Sequence, residues 1–194
     1  MAPRINAGGR IASPEESLQI LIKQGNEQLK YLQRLEEINT QRKAMQETMV
    51  EISEKKLDFT KKLLIAADEE FHEGIIGLIA GRLTEKYHKP SIVFKIDHEK
   101  GTAGASLRGP EYFSVIEMIC AHQHLLEKYG GHQGAGGLTV NLEHFEELCQ
   151  QMASRCENKI TEEDIEKTIL VDTELLTHER NAEIFNKIEN FAPF

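Results

Sequence analysis

The sequence predicts a mixed α/β (α+β) fold in which long connecting helices lead into a mixed β-sheet domain with packed helices. Two patterns carry this expectation. Residues 27–58 are heavily charged, with Leu29, Leu32, Ile38, Met45, Met49 and Ile52 as an apolar stripe, as expected of an amphipathic helix. From Lys62 onward, short apolar runs alternate with segments of helical period and glycine-rich turns. Such alternation argues for strands covered by helices.

The elements follow in order. Ala2-Pro3-Arg4-Ile5-Asn6-Ala7-Gly8-Gly9-Arg10 reads as a loop, because proline biases its predecessor toward extended geometry and paired glycines permit close backbone approach. Ser13-Pro14-Glu15-Glu16 reads as a helix start, with serine as cap, proline in the first turn and acids at the positive dipole end. Ser13 and Glu16 have the spacing of a capping box. Leu18, Leu21 and Ile22 give this helix an apolar face, and Gly25-Asn26 breaks it. The next helix, over 27–58, would span roughly 48 Å at ~1.5 Å per residue. That length suits a connector between two lobes, with a long core helix as the alternative. Strands are expected at 63–67, 91–94, 102–107 and 138–140. Helices are expected at 75–86, 112–122 and 143–156, with a glycine-rich loop at 130–137. A polar link then leads to a strand at 168–172 and a helix at 177–190. Both ends of the chain read as cut.

Composition narrows the function classes. The chain has 194 residues, 40% hydrophobic and 28% charged, enough for one domain with attachments. It has neither a long apolar run nor a signal-like start, so a cytoplasmic protein without membrane contact is expected. Cys120, Cys149 and Cys156 lack metal-type spacing and read as reduced thiols, with Cys149 and Cys156 in a helix core. The net charge is −9, which opposes a broadly basic nucleic-acid surface. The acidity is uneven, however. Residues 143–194 hold 13 acidic and 5 basic side chains, whereas 1–10 hold Arg4 and Arg10 and no acid. Nucleic-acid binding would need a local site.

Four segments could build one. Gly130-Gly131-His132-Gln133-Gly134-Ala135-Gly136-Gly137 can bring backbone N–H groups and an imidazole to a phosphate; a tight turn needing positive φ is the competing explanation. Phe71 to Leu83 opens a helix at Gly74 and Gly77, whose amino end could hold an anion, although small residues there also serve packing and His72 reads as a cap. In Gly101 to Gly109, Ser106 and Arg108 alternate toward one face, and a hydroxyl with a guanidinium suits phosphate; a solvent-facing edge strand is the alternative. Arg4, Asn6 and Arg10 could line an anionic site; exposed loop residues are the competing explanation. No Asp/His cluster able to hold divalent metals and no nucleophilic triad stands out. The residues alone therefore describe a binding module.

These motifs, in series, resemble RecJ single-strand-specific exonucleases of the DHH phosphoesterase superfamily. The 2–10 segment is similar to the close of the catalytic DHH domain, and 14–58 to the connecting helices. Residues 71–83 look like the family's Trp-His-x-Gly-Val-Ile-Gly segment, with Phe71 in place of the tryptophan. Residues 130–137 match the Gly-Gly-His signature of the DHH-associated domain. The resemblance implies the end of a DHH domain at 1–13, connecting helices at 14–61, a DHH-associated substrate-binding domain at 62–160, and a linker with the start of an OB-fold-like domain at 161–194. It implies 5′-to-3′ degradation of single-stranded DNA in repair and recombination, with Mn²⁺ or Mg²⁺ held outside this chain and the chain itself inactive. Single-stranded DNA is the expected partner, and a single-strand-binding protein a further candidate. Gly130, Gly131, His132 and Ser106 would be phosphate contacts, together with Arg108, Arg82, Asn6, Arg4 and Arg10. Ala105 stands where the family usually has arginine. The competing classes are a DHH-family phosphodiesterase of short oligonucleotides or nucleotides, and a non-enzymatic interaction module.

Overall fold

The computed structural model describes residues 2–168, 171 and 182–190. The strand expected at 168–172 and the first part of the helix expected at 177–190 fall largely outside them. Helix α8, Ala182–Glu189, occupies the rest of that second span.

The first ten residues correct the sequence reading. Ala2–Ile11 is a helix, α1, with Pro3 in its first turn, where the missing N–H costs no helical bond. Its glycines serve a close helix crossing. A Cβ on Gly8 would stand 2.2 Å from Ser17 Oγ, and the Ser17 hydroxyl donates to Ile5 O at 2.7 Å. Packing thus overrides the low helix propensity of Gly8-Gly9.

Helix α2 spans Pro14–Ile22, and Ser13 caps it by accepting from Glu15 N–H. The expected capping box does not form, because the serine engages the second helical residue and not the third. The apolar face is also rotated from expectation. Ser17 and Ile20 are buried, while Leu18, Leu21 and Ile22 are 52%, 64% and 60% exposed. The crossing at Gly8 and the Ser17–Ile5 bond set the helix phase, so the larger side chains face outward.

Helix α3, Gly25–Lys56, runs 32 residues and opens on Gly25, whose φ is positive. It touches two cores. Leu35 and Ile38 pack with Ala7 and Ile20, whereas Met49 and Val50 pack with the sheet layer. Leu29, expected inside, is exposed, and Leu35, Asn39, Val50 and Ser53 are additional buried positions.

The five-stranded sheet has order β1-β2-β3-β5-β4. Its strands are β1 (Leu64–Asp68), β2 (Ser91–Asp97), β3 (Thr102–Arg108), β4 (Leu126–His132) and β5 (Ala135–Asn141). β1 and β2 are parallel, which requires a crossover; helix α4, Glu73–Tyr87, supplies it. All other pairings are antiparallel. Helices α5 (Val115–Ala121) and α6 (Leu142–Lys159) follow β3 and β5, and a short α7 spans Glu162–Ile165. The period-2 alternation of β2 divides the cores. Ile92 and Phe94 face α5 and α6, while Val93 faces α4 with Ile75, Ile76, Ile79 and Leu83.

The glycine-rich segment is not a loop. It is the β4–β5 hairpin, turning at Gln133-Gly134, and none of its glycines has a positive φ. β3, in turn, is central in the sheet rather than at an edge. Cys156 is buried and Cys149 half-buried; burial pushes both thiols up to about 12. No helix among the described residues is long and apolar enough to cross a membrane.

Candidate nucleic-acid interface

α4 packs over β2 and β3 and leaves β5 and β4 uncovered on the same face. Register defines what that open face presents, since paired residues of neighbouring strands point the same way. One row is Arg108–Ala135–His132, the next Ser106–Gly137–Gly130, and the third Gly104–Thr139–Lys128. The face is therefore a trough of bare backbone rimmed by hydroxyl, cationic and imidazole side chains.

The five glycines of 130–137 divide by role. A Cβ on Gly131 would stand 2.6 Å from Ala135 O, and one on Gly136 2.5 Å from Ile119 Cδ1. Both belong to the opposite face, where the hairpin and α5 pack. A Cβ on Gly130 would meet nothing within 4 Å, and one on Gly137 only Ala105 O at 3.5 Å. Packing within the chain does not require glycine at these two positions. They keep the open face low.

A cleft of about 540 Å³ lies between this face, the amino end of α4 and the carboxyl end of α1. Its lining includes Arg10, Ser106, Arg108, Lys128 and Thr139, with Glu73 as its carboxylate. The site is locally positive in a chain of net charge −9. Arg108 donates through Nη1 to Ser106 Oγ at 2.8 Å and to Leu107 O at 2.9 Å. Burial, and then the charge of Arg10, hold its guanidinium below its ordinary value, though arginine stays protonated at neutral pH. Arg10 is fixed by donating to Gly74 O at 3.2 Å. Two guanidinium groups thus converge where an anion would relieve their repulsion.

α4 contributes mainly its dipole here. His72 caps it, its Nδ1 accepting from Gly74 N–H at 3.1 Å, so that donor is already engaged, and His72 is the cap that the sequence implied. His132 is held similarly, with Nδ1 accepting from Gly134 N–H at 3.3 Å. This arrangement leaves Nε2 as the protonated nitrogen, able to donate to a ligand.

The structure thus brings Arg10, Ser106 and Arg108 together in the cleft, with His132 in the row of Arg108 and Gly130 in the row of Ser106, each two strands away. Gly131 turns to the other face. Arg4 pairs with Glu36, Asn6 is exposed on α1, and Arg82 is exposed two helical turns beyond Gly74, beside Glu54; none of these three lines the cleft. Sequence reasoning misses Lys128, Thr139 and Gly104, because it assigns no element to 123–129 and gives no strand register. Among the described residues, no group of three or more His, Cys, Asp or Glu could hold a metal ion. The donor set described here does not fit the divalent metals that the resemblance implies.

Comparison with known proteins agrees with this architecture. The DHHA1 domain model matches residues 60–158. RecJ of Bacillus subtilis, described as a single-stranded-DNA-specific exonuclease, is 27% identical over 200 residues, covering 100% of this chain and 25% of the relative. Its Haemophilus influenzae counterpart is 28% identical, over 98% of this chain and 35% of the relative. This chain therefore spans about a quarter to a third of the length of these curated relatives. The crystal structure of RecJ with Mg²⁺ from Thermus thermophilus superposes with a TM-score of 0.74 at 25% identity, over 81% of this chain and 25% of that one. With half of its residues matched by the domain model and its whole length aligned to RecJ, the chain belongs to the DHHA1-domain family as a RecJ-like member.

Proposed function

We propose that this chain is the substrate-gripping part of a RecJ-like 5′-to-3′ single-stranded-DNA exonuclease acting in repair and recombination. The observation that carries the reading is the convergence of Arg10, Ser106 and Arg108 beside the bare β3–β5–β4 trough. A trough with little side-chain relief suits a sugar–phosphate backbone, which approaches closely and is gripped without base readout. Arg108 and Arg10 would take phosphate charge, Ser106 and His132 would donate hydrogen bonds, and Lys128 would hold the far rim. The activity also needs Mn²⁺ or Mg²⁺, whose ligands we place outside this chain, in a DHH catalytic domain. Residues 1–13 would close that domain, 14–61 connect it, 62–160 bind substrate, and 161–194 lead toward an OB-fold-like domain. Turnover by this chain alone with Mn²⁺ would contradict that division. A cytoplasmic setting and a single-strand-binding partner belong to the same proposal.

The test is binding of a 5′-phosphorylated single-stranded oligonucleotide to the 194-residue chain across a salt series. Affinity should fall with salt, by a slope of roughly −0.7 per phosphate contacted. His132→Ala should weaken binding by roughly 1–3 kcal/mol, the scale for an unmade hydrogen bond. Binding indifferent to salt or to His132 would overturn the reading.

The two faces of the hairpin make a second test. Gly130→Ala should leave stability unchanged or raise it by up to about 1 kcal/mol, since alanine has less unfolded-state entropy to lose, yet weaken the oligonucleotide. Gly131→Ala should lower stability by about 1–3 kcal/mol through overpacking against the facing strand. Equal melting behaviour of the two variants would contradict this division of the glycines.

A further inference from the structure

The glycines of α4 differ sharply in what surrounds them. A Cβ on Gly81 would meet nothing within 4 Å, whereas one on Gly77 would stand 2.9 Å from Arg108 Nη2 and 3.1 Å from Ser106 Oγ. Gly77 has no positive φ, so its backbone does not demand glycine, and glycine inside a helix is disfavoured relative to alanine. The space beside its Cα is filled by the guanidinium of Arg108. Nη1 of that group is fixed on Ser106 Oγ and Leu107 O. The strand end that carries Arg108 is tied to α4 as well, since the Thr84 hydroxyl donates to Arg108 O at 3.3 Å.

We propose that Gly77 is a positioning residue: its missing side chain seats the Arg108 guanidinium against α4, in register with Ser106 and facing Arg10. A methyl group there would have to displace Nη2 and press on the Ser106 hydroxyl. The guanidinium would leave its seat, and the fixed fork that suits a phosphate would become a mobile charge. Neighbouring Gly74 does a different job. Its Cβ would stand 2.0 Å from Arg10 O, so it seats the backbone of α1. One turn of α4 therefore aligns both arginines of the cleft.

The consequence for binding rests on the proposed function, and the experiment separates the two. The side-chain Nε–H resonance of Arg108 is followed by NMR in the ligand-free chain, in wild type, Gly77→Ala and the control Gly81→Ala. The affinity of the 5′-phosphorylated single-stranded oligonucleotide is measured for the same proteins, for Arg108→Ala, and for Gly77→Ala combined with Arg108→Ala. Gly77→Ala should shift the Arg108 resonance, melt no lower than wild type and lose affinity three- to tenfold. Gly81→Ala should change neither resonance nor affinity. In the Arg108→Ala background Gly77→Ala should add nothing, because its effect passes through that side chain. An unmoved Arg108 resonance overturns the proposal whether or not the oligonucleotide binds, as does an equal loss of affinity in the Arg108→Ala background. A wild-type chain that binds no oligonucleotide while Gly77→Ala still shifts Arg108 supports the positioning role and overturns only the proposed function.

Discussion

Replacing Arg108 with alanine is expected to weaken single-stranded oligonucleotide binding by about 1.5–3 kcal/mol, the scale for a hydrogen bond to a charged group. That is roughly a tenfold to a hundredfold loss. The large figure follows from the position of the side chain. Arg108 is half-buried in the cleft, already oriented by Ser106 Oγ and Leu107 O, and opposed by Arg10. Its desolvation and the like-charge repulsion are already present in the unliganded chain, so an anion gains from a preformed site. Fluorescence anisotropy across a salt series reads the outcome, and the salt slope should shrink by about 0.7, one phosphate contact on a single strand. Arg108→Lys should recover part of the affinity, because it keeps the charge without the planar fork. Stability should change little, since the lost hydrogen bonds are offset by relief of the repulsion. An affinity unchanged in Arg108→Ala would remove the cleft from the binding surface.

Gly74→Ala is expected to lower stability by about 3 kcal/mol, at the upper end of ordinary overpacking costs. At an open helical position the same change stabilises by roughly 0.5–1 kcal/mol, and Gly81 is such a position. The sign reverses at Gly74 because the added methyl would meet the Arg10 carbonyl oxygen at 2.0 Å. The oxygen is backbone and the methyl is fixed directly to the backbone of α4, so neither can rotate away. Relief requires α1 to lift from α4, which breaks the Arg10 to Gly74 O hydrogen bond. Urea denaturation of wild type, Gly74→Ala and Gly81→Ala measures this, with a shifted midpoint at constant slope for each variant. Gly74→Ala as stable as Gly81→Ala would mean that α1 does not close on α4 as described.

Much of the domain was legible in the sequence. The positions of four of the five strands, the helix that became α4 and the long α3 followed from apolar periodicity, and the Ser13-Pro14 start of α2 from capping chemistry. Ser106 and Arg108 were correctly assigned to one face, because strand alternation is a local property. Other features were not legible because their cause lies in another element. Gly8-Gly9 reads as a loop until Ser17 is known to press against Gly8. Leu18, Leu21 and Ile22 read as a core stripe until Ile5 and Gly8 fix the rotation of α2. The glycines at 130–137 read as one motif until strand pairing separates Gly131 and Gly136, which close the hairpin, from Gly130 and Gly137, which open the trough. Lys128 could not be named at all while β4 was missing from the expected elements.

The sequence by itself thus determined most of the elements from 14 to 159, the family and most of the residue types able to hold a phosphate, because period, capping and motif spacing are properties of neighbours along the chain. Only the tertiary structure decided which of those residues share a site. It brought Arg10 from α1, Gly74 and Gly77 from α4, and Ser106 and Arg108 from β3 together, placed His132 of β4 in the row of Arg108, and turned Arg4, Asn6 and Arg82 away. The physical reason is that inter-strand register and helix rotation are set by contacts between segments dozens of residues apart, and a sequence pattern carries the period of a face without saying what that face will meet.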